Sequence, residues 1–156
     1  MIEQYLETLN IQYETLTHKA VYTIEEAMAE NIPDRIEGIE CKNLFVKNKG
    51  RYYLIFLEGS KRARLKELAK VVGESKLSFA NERELKDILD LDIGSVTPLG
   101  IINDKECKVT LLIDASLQGH KVLAHPNINT QTISLRFEDL LLFIEATSHK
   151  YYLIEE

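Results

Sequence analysis

The order of apolar patterns along this 156-residue chain predicts a single α+β domain, spanning 1–156, with a mixed, mostly antiparallel β-sheet and flanking helices. Two β-rich runs, Lys42–Val46 and Arg51–Leu57, are joined by Lys47-Asn48-Lys49-Gly50, which is a hairpin signal. Helical patterns lie on both sides of consecutive strands instead of alternating with them strictly. A strongly apolar segment, Phe137 to Ala146, closes the chain as a core helix.

Ile2, Tyr5, Leu6 and Leu9 recur at helical spacing and predict an opening amphipathic helix that ends near Asn10. Tyr13 to Leu16 alternates and predicts a short strand. Thr23-Ile24-Glu25-Glu26 has the form of a capping box, with a helix running to about Asn31, where Pro33 is expected to stop it. Beyond the hairpin, Leu65, Leu68, Ala69 and Val72 share one face of a helix over 64–72, and Gly73 follows as a C-cap. Lys76 to Phe79 predicts a short strand. Asn81 caps the next helix, with Glu84 at the capping-box position and Leu85, Ile88 and Leu89 inward. Gly94 to Gly100 reads as a turn-rich loop. Strands are expected at Val109–Ile113, Lys121–Ala124, Thr132–Leu135 and Tyr151–Ile154.

Composition is that of an ordinary globular chain, 45% hydrophobic and 28% charged. Apolar runs such as Leu140–Ile144 are too short to span a bilayer, and the first residues carry acid and no basic n-region, so no signal peptide is expected. Cys41 and Cys107 lie far apart without a CxxC partner, which argues against a disulfide framework or zinc site and favours a reduced, cytoplasmic setting. The net charge of −6 opposes nucleic-acid binding at first sight. Its distribution does not: between Lys47 and Lys70 eight basic residues face two acidic ones, a basic face on an acidic body. A solvated hairpin and helix surface has the same composition.

No GxSxG, HExxH, P-loop or GxGxxG motif is present, and His18, His120, His125 and His149 lack metal-ligand spacing. Three features remain. Lys42 opens an apolar strand, where it either snorkels to solvent or holds a phosphate at a pocket edge. Gly94-Ser95-Val96-Thr97-Pro98 either punctuates a turn or brings backbone amides to a carbonyl and its developing oxyanion. His125-Pro126-Asn127-Ile128-Asn129-Thr130 is a turn with an incidental histidine, or a loop whose imidazole orients a substrate amino group or a water.

At these places the chain resembles the YbaK/prolyl-tRNA-synthetase-associated editing family, most nearly its freestanding prolyl-tRNA editing members. The matching pieces are Thr23-Ile24-Glu25-Glu26-Ala27, Lys42-Asn43-Leu44-Phe45, Gly94-Ser95-Val96-Thr97-Pro98-Leu99, His125 to Thr130, and the closing Glu138 to Ile144 helix. They occur in order over essentially the whole chain. The resemblance implies hydrolysis of alanine mischarged onto proline tRNA, with no metal or cofactor. It implies that Lys42 anchors the terminal adenosine's phosphate and that Gly94 offers its amide to the aminoacyl carbonyl. His125 then shapes an alanine-sized pocket, and the tRNA 2′-hydroxyl assists. Ser95, Thr97, Pro98, Asn129 and Thr130 are the expected substrate contacts. Lys61, Arg62, Arg64 and Lys66 are the expected tRNA contacts, and prolyl-tRNA synthetase is a candidate partner. The chain departs from the family at Asn43, where a small residue is common. Cysteinyl-tRNA deacylases share the fold, but their loop reads RGG-x-SP-x-G, unlike Ile93 to Pro98 here. A non-catalytic tRNA-binding module is the rival from another class.

Overall fold

A computed structural model describes residues 2–155; Met1 and Glu156, the two ends of the expected 1–156 span, lie outside the described residues. The chain opens with helix α1 (Ile2–Thr8), which buries Ile2 and Leu6, and strand β1 (Tyr13–Thr17). Helix α1 ends before the expected Asn10, which takes a left-handed φ of 59°. Thr23 caps helix α2 (Ile24–Ala29) by accepting from the Glu26 amide. Pro33 does not stop this helix. Left-handed Asn31 breaks the chain first, and Pro33 then sits in the first turn of α3 (Ile32–Arg35), where a missing N–H costs nothing.

The hairpin forms as β2 (Cys41–Asn48) and β3 (Arg51–Glu58), paired antiparallel from Cys41–Glu58 to Asn48–Arg51. Helix α4 (Leu65–Val72) buries Leu68 and Ala69 and is closed by Gly73 at φ 76°. The strand expected from Lys76 shrinks to β4 (Ser78–Phe79). Helix α5 (Glu82–Leu89) carries the complete Asn81–Glu84 capping box and buries Leu85, Ile88 and Leu89. The segment expected to be loop up to Gly100 becomes a 3-10 turn over Pro98–Asn103, capped by Thr97. Four buried residues in that turn, Pro98 to Ile101, make it part of the core, and periodicity over six residues is too short to announce this.

The remaining elements are β5 (Val109–Asp114), β6 (Lys121–Ala124), β7 (Gln131–Arg136), α6 (Phe137–Ala146) and β8 (Tyr151–Ile154). The strands divide between two sheets, one of order β1-β7-β6 and one of order β4-β2-β3-β5-β8. The first is antiparallel, and the second is mixed, with β5 parallel to β3 and to β8. A bridge between Ile39 and Val122 joins the sheets just upstream of β2.

Both faces of the central strands are covered, so β3 reads as a continuous apolar run in which Leu54 to Leu57 are fully buried. Helix α6 places Phe137, Leu140, Phe143 and Ile144 in the larger core. Each such side chain contributes about 1.5–3 kcal/mol on burial. The junction of the two sheets is where the start of β2, the end of β6 and the loop after α5 converge.

Candidate active site

Lys42 is the second residue of β2, where pairing with Leu57 of β3 fixes its backbone. Its ammonium donates to the Lys61 carbonyl at 2.7 Å. That carbonyl is itself held in place, because the Lys61 ammonium pairs with Asp114 at 2.9 Å and donates to Ser116 Oγ at 2.9 Å. Asp114 is fully buried. Burial alone would raise its carboxyl, but donation from the Glu58 amide, Lys61 and Ser116 outweighs this and leaves it below the ordinary range.

Gly94 lies in the loop after α5 with φ +87°, and a Cβ there would sit 2.3 Å from Tyr22 Cδ1. Only glycine fits both the backbone and the approach of that ring. No acceptor among the described residues takes up the Gly94 N–H.

His125 directly follows β6, and its Nδ1–H donates to the Gln131 carbonyl at 3.0 Å. A carbonyl can only accept, so neutral His125 keeps the Nε2 lone pair. Burial, opposed by that hydrogen bond, pushes the imidazole below its ordinary value, and the neighbouring His18 adds to the effect. The two rings lie 6.4 Å apart. His18 is held by its own pair of contacts, Nδ1–H to the Lys19 carbonyl and Nε2 to Thr132 Oγ1, both at 2.7 Å.

Lys42, Gly94 and His125 line one cavity of about 230 Å³. Its remaining walls come from Val21 to Ile24, Ala27, Glu40, Cys41, Asn43 and Val96. The Cys41 thiol is pushed well up by burial and by the Glu40 charge, and it donates to the Ile39 carbonyl at 3.2 Å. Both effects favour the thiol over the thiolate, the form that acts as a nucleophile. Glu40 is also raised by burial. The Asn43 Oδ1 is buried and accepts no hydrogen bond. A buried acceptor left unmade costs about 1–3 kcal/mol, which a donor on a bound ligand would recover.

The other expected contacts stand elsewhere. Ser95, Thr97 and Pro98 are buried in the start of the 3-10 turn, where the Ser95 amide donates to Asp92 and Thr97 Oγ1 accepts from Leu99. Asn129 exchanges bonds with Val21, side chain to carbonyl at 3.1 Å and amide to carbonyl at 3.2 Å, and Thr130 accepts from the His18 amide at 2.9 Å. These groups hold the segment that carries Tyr22 against the His125 loop. Among the expected tRNA contacts, Arg62, Arg64 and Lys66 are exposed around the start of α4, while Lys61 is engaged by Asp114.

Sequence reading missed Tyr22 and Glu40 as cavity walls, whereas Asn43, the departure from the family at the pocket rim, does line it. The glycine at position 94 was the signal for Tyr22, since a required glycine implies something pressed against it. Among the described residues no helix is long and apolar enough to cross a membrane, and no three His, Cys, Asp or Glu side chains gather as a metal site.

Comparison with known proteins bears on the family and the fold. The model of the aminoacyl-tRNA editing domain matches residues 18–143. The chain is 38% identical over 153 residues to the prolyl-tRNA editing protein ProX of Acetoanaerobium sticklandii, covering 96% of this chain and 92% of that one. It is 36% identical over 152 residues to the prolyl-tRNA synthetase associated domain-containing protein 1 of Danio rerio, covering 95% and 82%. Among solved structures, the hypothetical protein APE2540 superposes with a TM-score of 0.76 at 20% identity over 99% of both chains. The chain belongs to the aminoacyl-tRNA editing domain family.

Proposed function

We propose that this chain is an aminoacyl-tRNA deacylase that hydrolyses alanine mischarged onto proline tRNA, acting in the cytoplasm on tRNA released by prolyl-tRNA synthetase. One observation carries the reading: Lys42, Gly94 and His125, drawn from three distant segments, line one cavity of about 230 Å³. The prolyl-tRNA editing names borne by its relatives support the substrate class.

An aminoacyl ester is already activated, so positioning and charge stabilisation suffice for its hydrolysis. Lys42 holds the phosphate of the terminal nucleotide. Its ammonium exchanges the Lys61 carbonyl for a phosphate oxygen, and the Asp114–Lys61 pair keeps it close. The Gly94 N–H donates to the ester carbonyl oxygen, and more strongly to the oxyanion that forms as water attacks. The His125 Nε2 lone pair accepts from the attacking water or from the substrate ammonium. Asn43 Oδ1 is a second acceptor for that ammonium. The leaving group is the ribose oxygen; as the carbonyl–oxygen bond breaks it takes up the proton that the attacking water gave up, relayed by the neighbouring 2′-hydroxyl, which gains one proton as it passes on another.

Size selects the substrate. A synthetase site built for proline distinguishes a smaller side chain by only about 1–3 kcal/mol per methylene. A second cavity walled by Val21, Ile24, Ala27 and Val96 admits a methyl group and repels a pyrrolidine ring. The test is deacylation of Ala-, Cys-, Ser- and Pro-tRNA by the intact protein. Turnover of Ala-tRNA with Pro-tRNA spared is expected. Preference for Cys-tRNA would reassign the specificity, and no turnover of any would leave a tRNA-binding module.

A further inference from the structure

Beside the cavity runs a second, more apolar groove of about 180 Å³. Phe79, Ala80, Leu85 and Ile93 line it, and Asn43 and Val96 form a wall common to both. Phe79 is 62% exposed and Ile93 54%. Phe79 ends the two-residue edge strand β4, and Ile93 immediately precedes Gly94. Neither residue is needed to seal the core. Two large apolar side chains left in water on either side of a groove mark a surface shaped for a ligand.

Resting on the function proposed above, we infer that this groove receives the adenine base of the substrate's terminal nucleotide, with the Phe79 ring stacked on its face. Continuity of the two pockets carries the assignment. The ester and the base hang from the same ribose, so once the carbonyl reaches Gly94 the base must leave the cavity within one sugar's width. Val96 and Asn43 are the wall across which it leaves. Other openings compete, and the pocket around Asp87, Asn103 and Lys108 shares no lining residue with the cavity. The cleft between α1 and β7, lined by Glu7, Glu14, Lys121 and Arg136, shares no lining residue with the cavity. The patch near Val71 and Leu153 likewise shares none. An aromatic ring accepts any base face, so Phe79 supplies affinity, not sequence reading. Ile93 bounds the groove on the Gly94 side, which ties the seating of the base to the placement of the oxyanion donor.

The test is a two-by-two comparison with the intact protein. Wild type and Phe79→Ala are assayed on Ala-tRNA ending in adenosine and on the same tRNA ending in an abasic ribose. Stacking on one ring corresponds to about a 5- to 150-fold change in kcat/KM. Phe79→Ala should lose that factor on the adenosine substrate and almost nothing on the abasic one, and Phe79→Tyr should restore it. Because Phe79 is exposed, the melting temperature should not change. Equal losses on both substrates, or none on either, overturn the base subsite while leaving the deacylase standing; a hydrophobic partner surface would then be the better occupant. Failure of wild type to hydrolyse Ala-tRNA at all overturns both readings.

Discussion

The ammonium of Lys42 and the backbone carbonyl of Lys61 are joined by a 2.7 Å hydrogen bond, so one lysine of the site is aimed by the main chain of another. The Lys61 side chain in turn reaches the fully buried Asp114. Lys61 is therefore read as a structural strut and not as a phosphate contact. Lys61→Met should lower stability by about 1–3 kcal/mol, the cost of removing one charge-assisted partner from a buried carboxylate. It should leave the salt dependence of tRNA binding intact. Arg62→Gln and Lys66→Gln should do the reverse, each reducing the slope of log affinity against log salt by about 1 where it meets a phosphate. Denaturant melts and binding titrations at several salt concentrations separate the two behaviours.

Gly94→Ala should cost activity and stability together. A side chain at φ +87° beside Tyr22 carries about 1–3 kcal/mol of backbone strain. Displacing an oxyanion donor lowers kcat by about 10²–10³. The double variant with Tyr22→Ala removes the clash but not the strain, so it should regain only part of the stability. Full recovery of kcat in the double variant would show that the amide has no catalytic part.

His125 supplies the pH dependence. Burial holds its folded value below the ordinary 6.5, so the neutral imidazole persists to lower pH than in a free histidine. The unfolded chain takes up the proton first. Its contribution to stability is therefore complete above pH 6.5 and is lost as pH falls through the lower folded value. An NMR titration of the His125 ring should report a midpoint under 6.5. The acid limb of kcat/KM should follow that midpoint, and a limb at or above 6.5 would remove His125 from the mechanism.

The pair His149 and Asp104 offers a control remote from the chemistry. The imidazole Nε2 lies 3.0 Å from the carboxylate, and both side chains are almost fully buried. Asp104 also accepts from the Lys108 and Val109 amides, which staples the end of the 3-10 turn to the start of β5 and to the segment before β8. His149→Ala should cost about 3 kcal/mol, lowering the melting temperature by roughly 2–4 °C for each kcal/mol. Below the transition kcat should be unchanged, since neither residue lines the cavity.

A fifth prediction concerns Asn43, whose side-chain carbonyl is buried without a partner. Asn43→Ala removes both that orphan acceptor and its cost, so stability should hold or rise slightly. The Michaelis constant for Ala-tRNA should rise about tenfold, the worth of one hydrogen bond to a charged group. A loss of stability with unchanged kinetics would make Asn43 a structural residue.

The element types were legible in the residues themselves because each is set locally. The Thr23 and Asn81 caps, the Lys47–Gly50 turn and the apolar stripe of Phe137 to Ile144 act within a few residues of themselves. Their physical signals, a hydroxyl or amide reaching an open N–H or a 3.6-residue repeat, survive without any knowledge of the fold. Left-handed Asn31 and the buried turn over Pro98–Asn103 were not legible, because tertiary packing, not propensity, selects those conformations. The chain alone also named Lys42, Gly94 and His125. It could not say that Tyr22 presses on Gly94, that Asp114 holds Lys61, or that Asn43 faces inward without a partner. The first two link residues tens of positions apart: tertiary packing sets Tyr22 against Gly94, and the parallel pairing of β3 with β5 brings Lys61 within reach of Asp114.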